Sequence, residues 1–311
     1  MKDLFKKIDE GVKEVFESEK YKIYLRYISK FTDYSARNCL LIMMQKPTAS
    51  LVAAFGKWKE LGRTVNKGEK GIAILAPMTF KSKEITEKAV KDANGNQVYN
   101  ADGSEKKEQV ETEHTDVGFK KVYVFDVSQT SGEPVPEYIH DLSEDIEDEH
   151  VEAVLSAVRK ATGMPVEYED IDSGAKGYFD FSEHRIAIQS GMSGAQTVKT
   201  AIHEAAHALL HDPDKKIPTA ETGRSDKEVQ AESIAFIVSE KFGLDTSAYS
   251  FPYIASWSHG KQLVQLNNFL TEIQEAAKTL CEAIDTELTA LSESQTEEID
   301  EDVDELVSIS M

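Results

Sequence analysis

Apolar positions recur at every fourth residue from the start of the chain, through Leu4, Ile8, Val12 and Phe16. That is the stripe of a half-buried α-helix. A second series runs through Ile23, Tyr24, Tyr27 and Ile28, and a third helix is expected over Tyr34 to Gln45, stopped by Pro47. A short helix around Ala53 to Leu61 follows, then a strand from Gly71 to Leu75 ended by Pro77. Residues 81–118 are polar, with Asn94-Gly95 and Asp102-Gly103 as turn signals, and read as a hairpin or mobile insertion. The β-rich run Val122 to Val127 closes this part of the chain.

Ser131 to Pro136 contains a glycine and two prolines and reads as a linker. Past the acidic stretch Asp141 to His150, a helix is carried by Val151, Val154, Leu155 and Val158. Gly177 to Ile188 reads as a strand pair turning near Ser182-Glu183. Helices are expected over Gln196 to His211, halted by Pro213, and over Asp226 to Phe242, stopped by Gly243. In a last helix, Lys261 to Leu291, apolar Leu266, Leu270, Ile273, Ala277, Leu280 and Ile284 alternate by four and three. Such a stripe offers a surface for oligomerisation. The stretch including Glu297 to Glu305 reads as a disordered acidic tail, and no internal repeat is found.

These elements define an α+β chain of two domains. The expected divisions are residues 1–130, a linker at 131–140, a second domain at 141–260, a helix at 261–292 and a tail at 293–311. The length of 311 residues allows two cores of ordinary size. No apolar run is long enough to cross a membrane, and the charged N-terminus has no signal-peptide core, so a cytoplasmic protein is expected. The two cysteines, Cys39 and Cys281, have no paired spacing and read as reduced thiols.

Charge changes the picture. The net charge of −21 argues against a nucleic-acid partner until its distribution is seen. Residues 1–130 carry 23 Lys and Arg against 19 Asp and Glu, a net of +4, whereas residues 131–311 carry 12 against 37, a net of −25. One half is suited to meet an anion and the other is not.

The helix that ends near His211 carries His203, Glu204 and His207 in an HExxH pattern. His203 and His207 are one turn apart, so both imidazoles share a face and can reach one Zn²⁺. Glu204 is placed to take a proton from metal-bound water. The small or apolar Ala201, Ile202, Ala205, Ala206 and Leu209 around them predict a buried helix. A catalytic zinc needs a third protein ligand. The next helix offers Glu228 and Glu232, also one turn apart, with His211 as a weaker rival on the first helix. The spacing resembles that of gluzincin peptidases, which place ExxxD or ExxxE on the helix after HExxH. That resemblance implies Glu228 as ligand and Glu232 as the partner that hydrogen-bonds a ligating histidine, with Glu232 as the main rival for the ligand role. By the same analogy, the hairpin containing His184 to Ile188 is the edge on which an extended substrate lies.

In the positive half, Lys57, Lys59, Arg63, Lys67 and Lys70 surround Trp58 and two glycine turns. Cations that follow phosphates beside a stacking aromatic are what single-strand binding requires. The runs starting at Tyr34 (through Arg37, Asn38 and Gln45), Trp58, Lys67 and Val124 resemble the N-terminal domain of ArdC-type antirestriction proteins. In the second half, those at Gly177, His203, Gln230 and Tyr249 match as well, so the resemblance covers about residues 1–270. It implies a single-stranded-DNA-binding domain, with Tyr34, Arg37 and Asn38 joining the basic cluster, ahead of a zincin-like domain. The function expected is that of a protein from a conjugative plasmid or other mobile element. It would bind incoming single strands and carry a zinc metallopeptidase site acting on a host protein. The alternative is a non-catalytic protector, or a conjugation accessory protein, with a structural zinc domain. Some related zincins carry an acid where this chain has Gln230.

Overall fold

The computed structural model describes residues 2–16, 20–91, 95–135, 142, 146–214 and 223–309, with 296–309 as backbone alone. Asn94 of the first turn signal, residues 136–140 of the expected linker, and Asp141 with 143–145 of the acidic stretch lie outside these. Ala73–Tyr123 form one compact unit; Lys2–Ile72 and the chain from Val124 onward form the other.

The N-terminal stripes fold as α1 (Lys2–Val15), α2 (Lys20–Lys30) and α3 (Ala36–Gln45). α3 starts two residues later than expected because the Ser35 side chain caps it, accepting from the Asn38 backbone N–H. Next come β1 (Val52–Ala54), α4 (Phe55–Glu60) and β2 (Arg63–Val65). Two long strands, β3 (Ile72–Ala89) and β4 (Lys107–Asp126), then make up most of the smaller unit. Pro77 does not end β3. The strand has a neighbour on one side only in its sheet, so a proline there need not break a ladder bond. The expected hairpin is therefore a long ribbon, with Gly103 in a left-handed turn (φ 83°) and Asp102 accepting from the Ser104 backbone. β1 pairs with the end of β4, Val52 opposite Asp126. Residues read as linker begin with β5 (Thr130–Gly132), paired antiparallel to β2.

The second half continues with α5 (Asp148–Thr162), β6 (Val166–Glu169), β7 (Gly177–Asp180), β8 (Arg185–Gln189), α6 (Gly194–Leu210), α7 (Arg224–Lys241), α8 (Ile254–Ser258) and α9 (Leu263–Ile309). Its sheet has the order β6-β8-β7, with β6 parallel and β7 antiparallel to β8. Within the expected hairpin, β8 is the interior strand and β7 is the edge, on the side of the sheet that meets α6. The core is built from Ile186, Ala187 and Ile188 on β8, Ala201, Ile202, Ala205 and Ala206 on α6, and Ile234, Ala235 and Ile237 on α7, all at most 1% exposed.

α9 runs on through the stretch read as a disordered tail, because no glycine or proline interrupts residues 263–309. The stripe from Leu266 to Ile284 is buried within the chain, against α5, α7, α1 and α3. The apolar face expected to serve oligomerisation is thus already covered. α2 packs on α7, where the Tyr21 and Ser233 hydroxyls are 2.8 Å apart, and Gln274 of α9 donates to the Thr32 carbonyl at 2.9 Å. Cys39 and Cys281 are buried and unpaired. No helix among the described residues is long and apolar enough to cross a membrane.

Candidate metal centre

Ser193 caps α6 and fixes its start, and the small residues facing the core let α6 and α7 approach closely. His203 and His207 then project side by side, their Nε2 atoms 3.2 Å apart. α7 brings Glu228, whose Oε2 lies 3.8 Å from both of those nitrogens. Ligands bonded to one zinc at ~2.0–2.1 Å in a tetrahedron sit about 3.3 Å from one another. The three side chains therefore converge to nearly the spacing a divalent cation requires, with ligand atoms all within 4.8 Å. Glu232 approaches the opposite edge of the same ring, its Oε2 3.8 Å from His203 Nδ1. So the two acids face different nitrogens: Glu228 the Nε2 pair of His203 and His207, Glu232 the Nδ1 of His203.

Burial sets the protonation states. It drives the His207 imidazole down to about 3, aided by neighbouring His203, His211 and Lys227, and it lowers His203 against the pull of Glu228. Both rings are neutral near pH 7, the form that binds metal. Glu204 is 9% exposed; burial raises its carboxyl to about 7, against a hydrogen bond from the Phe179 backbone and with help from Glu228. A carboxyl tuned to neutrality can both accept and return a proton. That hydrogen bond ties Glu204 to β7, and the contact depends on Gly177. A Cβ there would lie 2.6 Å from Thr200 Cγ2 and 2.8 Å from the Ala187 carbonyl.

The raised Glu204 carboxyl makes a pH prediction for protein freed of metal. Between its unfolded value of 4.5 and its folded value of about 7, the folded state holds a proton that the unfolded state has lost. Stability therefore falls as pH rises through that window, by up to about 3 kcal/mol, and is level above it. His207 acts in the opposite sense, removing stability as pH falls from 6.5 towards 3. Glu204→Gln isolates the first effect: its melting-temperature gain over wild type should be small at low pH and grow up to neutrality. A gain that is constant across pH would refute the assignment.

Behind the centre lies a support whose far end, Glu272, no sequence motif marks. Gln230, fully buried on α7, donates from Nε2 to the Glu272 carboxylate of α9 at 2.7 Å. A carboxylate can only accept, so the Gln230 oxygen faces His211 Nε2, 2.9 Å away, and that nitrogen must donate. His211 Nδ1 is then an acceptor, and it receives the proton of His207 Nδ1 at 2.9 Å. The lone pair of His207 is left on Nε2, towards His203 and Glu228. His211, weighed above as a rival ligand, thus fixes a tautomer from behind. Glu272→Leu or Gln230→Leu should weaken metal affinity about 10–100-fold without unfolding the chain, as read by chelator competition. Unchanged affinity in both would show the relay to be idle. A second group, His184, Asp212 and Asp214, joins the β7–β8 turn to the end of α6 through imidazole–carboxylate contacts of 3.6 and 3.1 Å.

In the basic segment the expected residues separate. Trp58 is fully buried and its indole N–H donates to the Phe125 carbonyl at 2.8 Å, so it is core and cannot stack on a base. Asn38 is 8% exposed, and the Tyr34 hydroxyl donates to the Val52 carbonyl at 3.0 Å. Arg63 clasps β5, donating to Thr130 Oγ1 at 2.8 Å and to the carbonyls of Thr130, Gly132 and Glu133. Lys57, Lys59, Lys67 and Lys70 remain exposed and Arg37 is half-buried. The exposed aromatic among them is Phe55, 57% exposed at the start of α4.

Residues 1–125 match the family model for the N-terminal domain of the anti-restriction factor ArdC, and residues 159–255 match that for the IrrE N-terminal-like domain. The second stretch contains all four of His203, His207, Glu228 and Glu232. An uncharacterized protein of Bacillus anthracis is 26% identical over 313 residues, covering 93% of this chain. The chain spans about half, 52%, of that relative. Crystal structures of the antirestriction ArdC protein from plasmid R388 are similar at 22% (metal-free) and 20% (Mn(II)-bound) identity. Their TM-scores are 0.47 and 0.46, with 81% and 83% of this chain and 85% and 91% of those chains covered. The chain thus carries an ArdC-type N-terminal domain followed by an IrrE-like domain.

Proposed function

We propose that this protein binds single-stranded DNA through residues 1–130 and cleaves peptide bonds of a host protein at a zinc centre in residues 141–260, acting in the cytoplasm for a mobile element. The observation that carries the peptidase half is the convergence of His203, His207 and Glu228 beside a buried Glu204 raised to about 7. When bound, zinc supplies Lewis-acid activation of a water molecule. The chain's residues do the rest. His203, His207 and Glu228 hold the cation, and Glu232 and His211 orient the rings. Glu204 takes the water proton and returns it to the leaving amine. The open edge of β7 offers backbone groups to an extended peptide.

For the DNA half, support comes from Lys57, Lys59, Lys67 and Lys70 exposed around Phe55, in the half of the chain with net positive charge. The test is elemental analysis together with single-strand binding on the same samples. Wild type should hold one zinc per chain and His203→Ala none, with equal DNA affinity. No zinc in reconstituted wild type would leave a DNA-binding protector without peptidase chemistry.

A further inference from the structure

Two cavities flank the candidate centre, and their linings differ in kind. One of about 400 Å³ opens on His203 and Glu204 and is walled by Lys176, Lys199, Gln196 and Thr200. The other, about 250 Å³, opens on Glu228 and is walled by Phe251, Pro252, Tyr253, Ile254 and Trp257. Glu232 lines both, so the two meet at the centre.

We propose that this double cleft selects polypeptide segments bearing an aromatic side chain on one side of the bond at the centre and an acidic side chain on the other. The proposal rests on the peptide-cleaving reading of the site in taking a polypeptide as occupant.

The lysines are out of place by composition. Residues 131–311 hold 12 cations against 37 acids, yet two of the twelve meet in this cavity. Lys176 is exposed just before the edge strand and donates to Gln196 Oε1 at 2.7 Å. Lys199 donates to the Asp245 carbonyl and lies 4.0 Å from its carboxylate. An ammonium has three donors, so each lysine keeps capacity for a further carboxylate. The aromatic cavity is built rigidly. Phe251 packs edge-on against Tyr21 and Phe236, while Trp257 lies 4.1 Å from the Phe269 ring and donates to Asp226. Tyr253 stands 77% exposed at its rim. A preformed apolar pocket takes a flat apolar side chain with little reorganisation.

The experiment measures fluorescence polarisation of labelled alanine-based peptides on the full zinc-loaded chain carrying Glu204→Gln, which leaves them uncut. The peptides carry Phe alone, Asp alone, both in either order at varied spacing, or neither. The best Phe-plus-Asp peptide should bind about tenfold tighter than either single-feature peptide. Ser225→Trp, at an exposed position lining the aromatic cavity, should erase the Phe advantage and spare the Asp advantage. Lys176→Glu should do the reverse. Peptides that bind equally, or variants that leave the ranking intact, overturn the proposal. The same peptides incubated with wild type separate the two readings. Selective binding without cleavage upholds the cleft and removes the peptidase. Cleavage indifferent to Phe and Asp overturns the cleft's selectivity and leaves the peptidase standing.

Discussion

Glu204→Gln is expected to leave metal content unchanged and to lower peptide hydrolysis by about three orders of magnitude. The substitution is isosteric, and its amide oxygen can still accept from the Phe179 backbone, so the contact between α6 and β7 survives. Only the proton acceptor is removed. His203, His207 and Glu228 are untouched, and Glu204 is not among the three that converge for a cation. His203→Ala should lose hydrolysis and metal together, which separates holding the ion from using it. The measurement is single-turnover hydrolysis of a casein or peptide-library substrate with and without single-stranded DNA, alongside zinc content. Hydrolysis within about tenfold of wild type in Glu204→Gln would remove Glu204 as base and point to another group in the cleft. Equal loss of zinc in both variants would show that Glu204 supports the centre structurally instead.

The centre was legible in the sequence because its parts are local. HExxH is one turn of one helix, Glu228 and Glu232 are one turn of the next, and both helices start and stop within about two residues of the expected bounds. What lay beyond local reach was missed. Glu272 is 42 positions from Gln230 and has no pattern around it; only the packing of α9 on α7 brings them together. β6 carries alternating acids in a four-residue strand and owes its place to parallel pairing with β8, a non-local contact. The N-terminal helices show stripes that predict burial, yet a stripe does not name its partner, here α7 and α9 for α2 and α1. Trp58 shows the same limit in reverse. Cations on both sides of a tryptophan look like a binding surface, but on a helix as short as α4 they occupy different faces, so the ring turns inward while the lysines stay out.

That division makes the DNA surface testable residue by residue. Replacing Lys57, Lys59, Lys67 and Lys70 together by alanine should weaken single-strand affinity by two orders of magnitude or more at low salt, at about 0.7 released counterions per lost phosphate contact. The slope of log affinity against log salt should flatten by up to about 3, because each lysine that neutralises a phosphate contributes separately. The fold should persist, since all four side chains are exposed. Phe55→Ala should weaken binding by about 1–3 kcal/mol, the range for one stacked base, with the salt slope and melting temperature unchanged. Trp58→Phe is the contrast. Losing the indole hydrogen bond to the part-buried Phe125 carbonyl, together with part of a fully buried ring, should lower stability by about 1–3 kcal/mol while the folded protein binds DNA as before. If Trp58→Phe instead reduces affinity at full stability, the tryptophan must turn outward to meet the strand. If the lysine variant keeps wild-type affinity and salt slope, DNA is held elsewhere, and the positive half of the chain owes its charge to something other than phosphate.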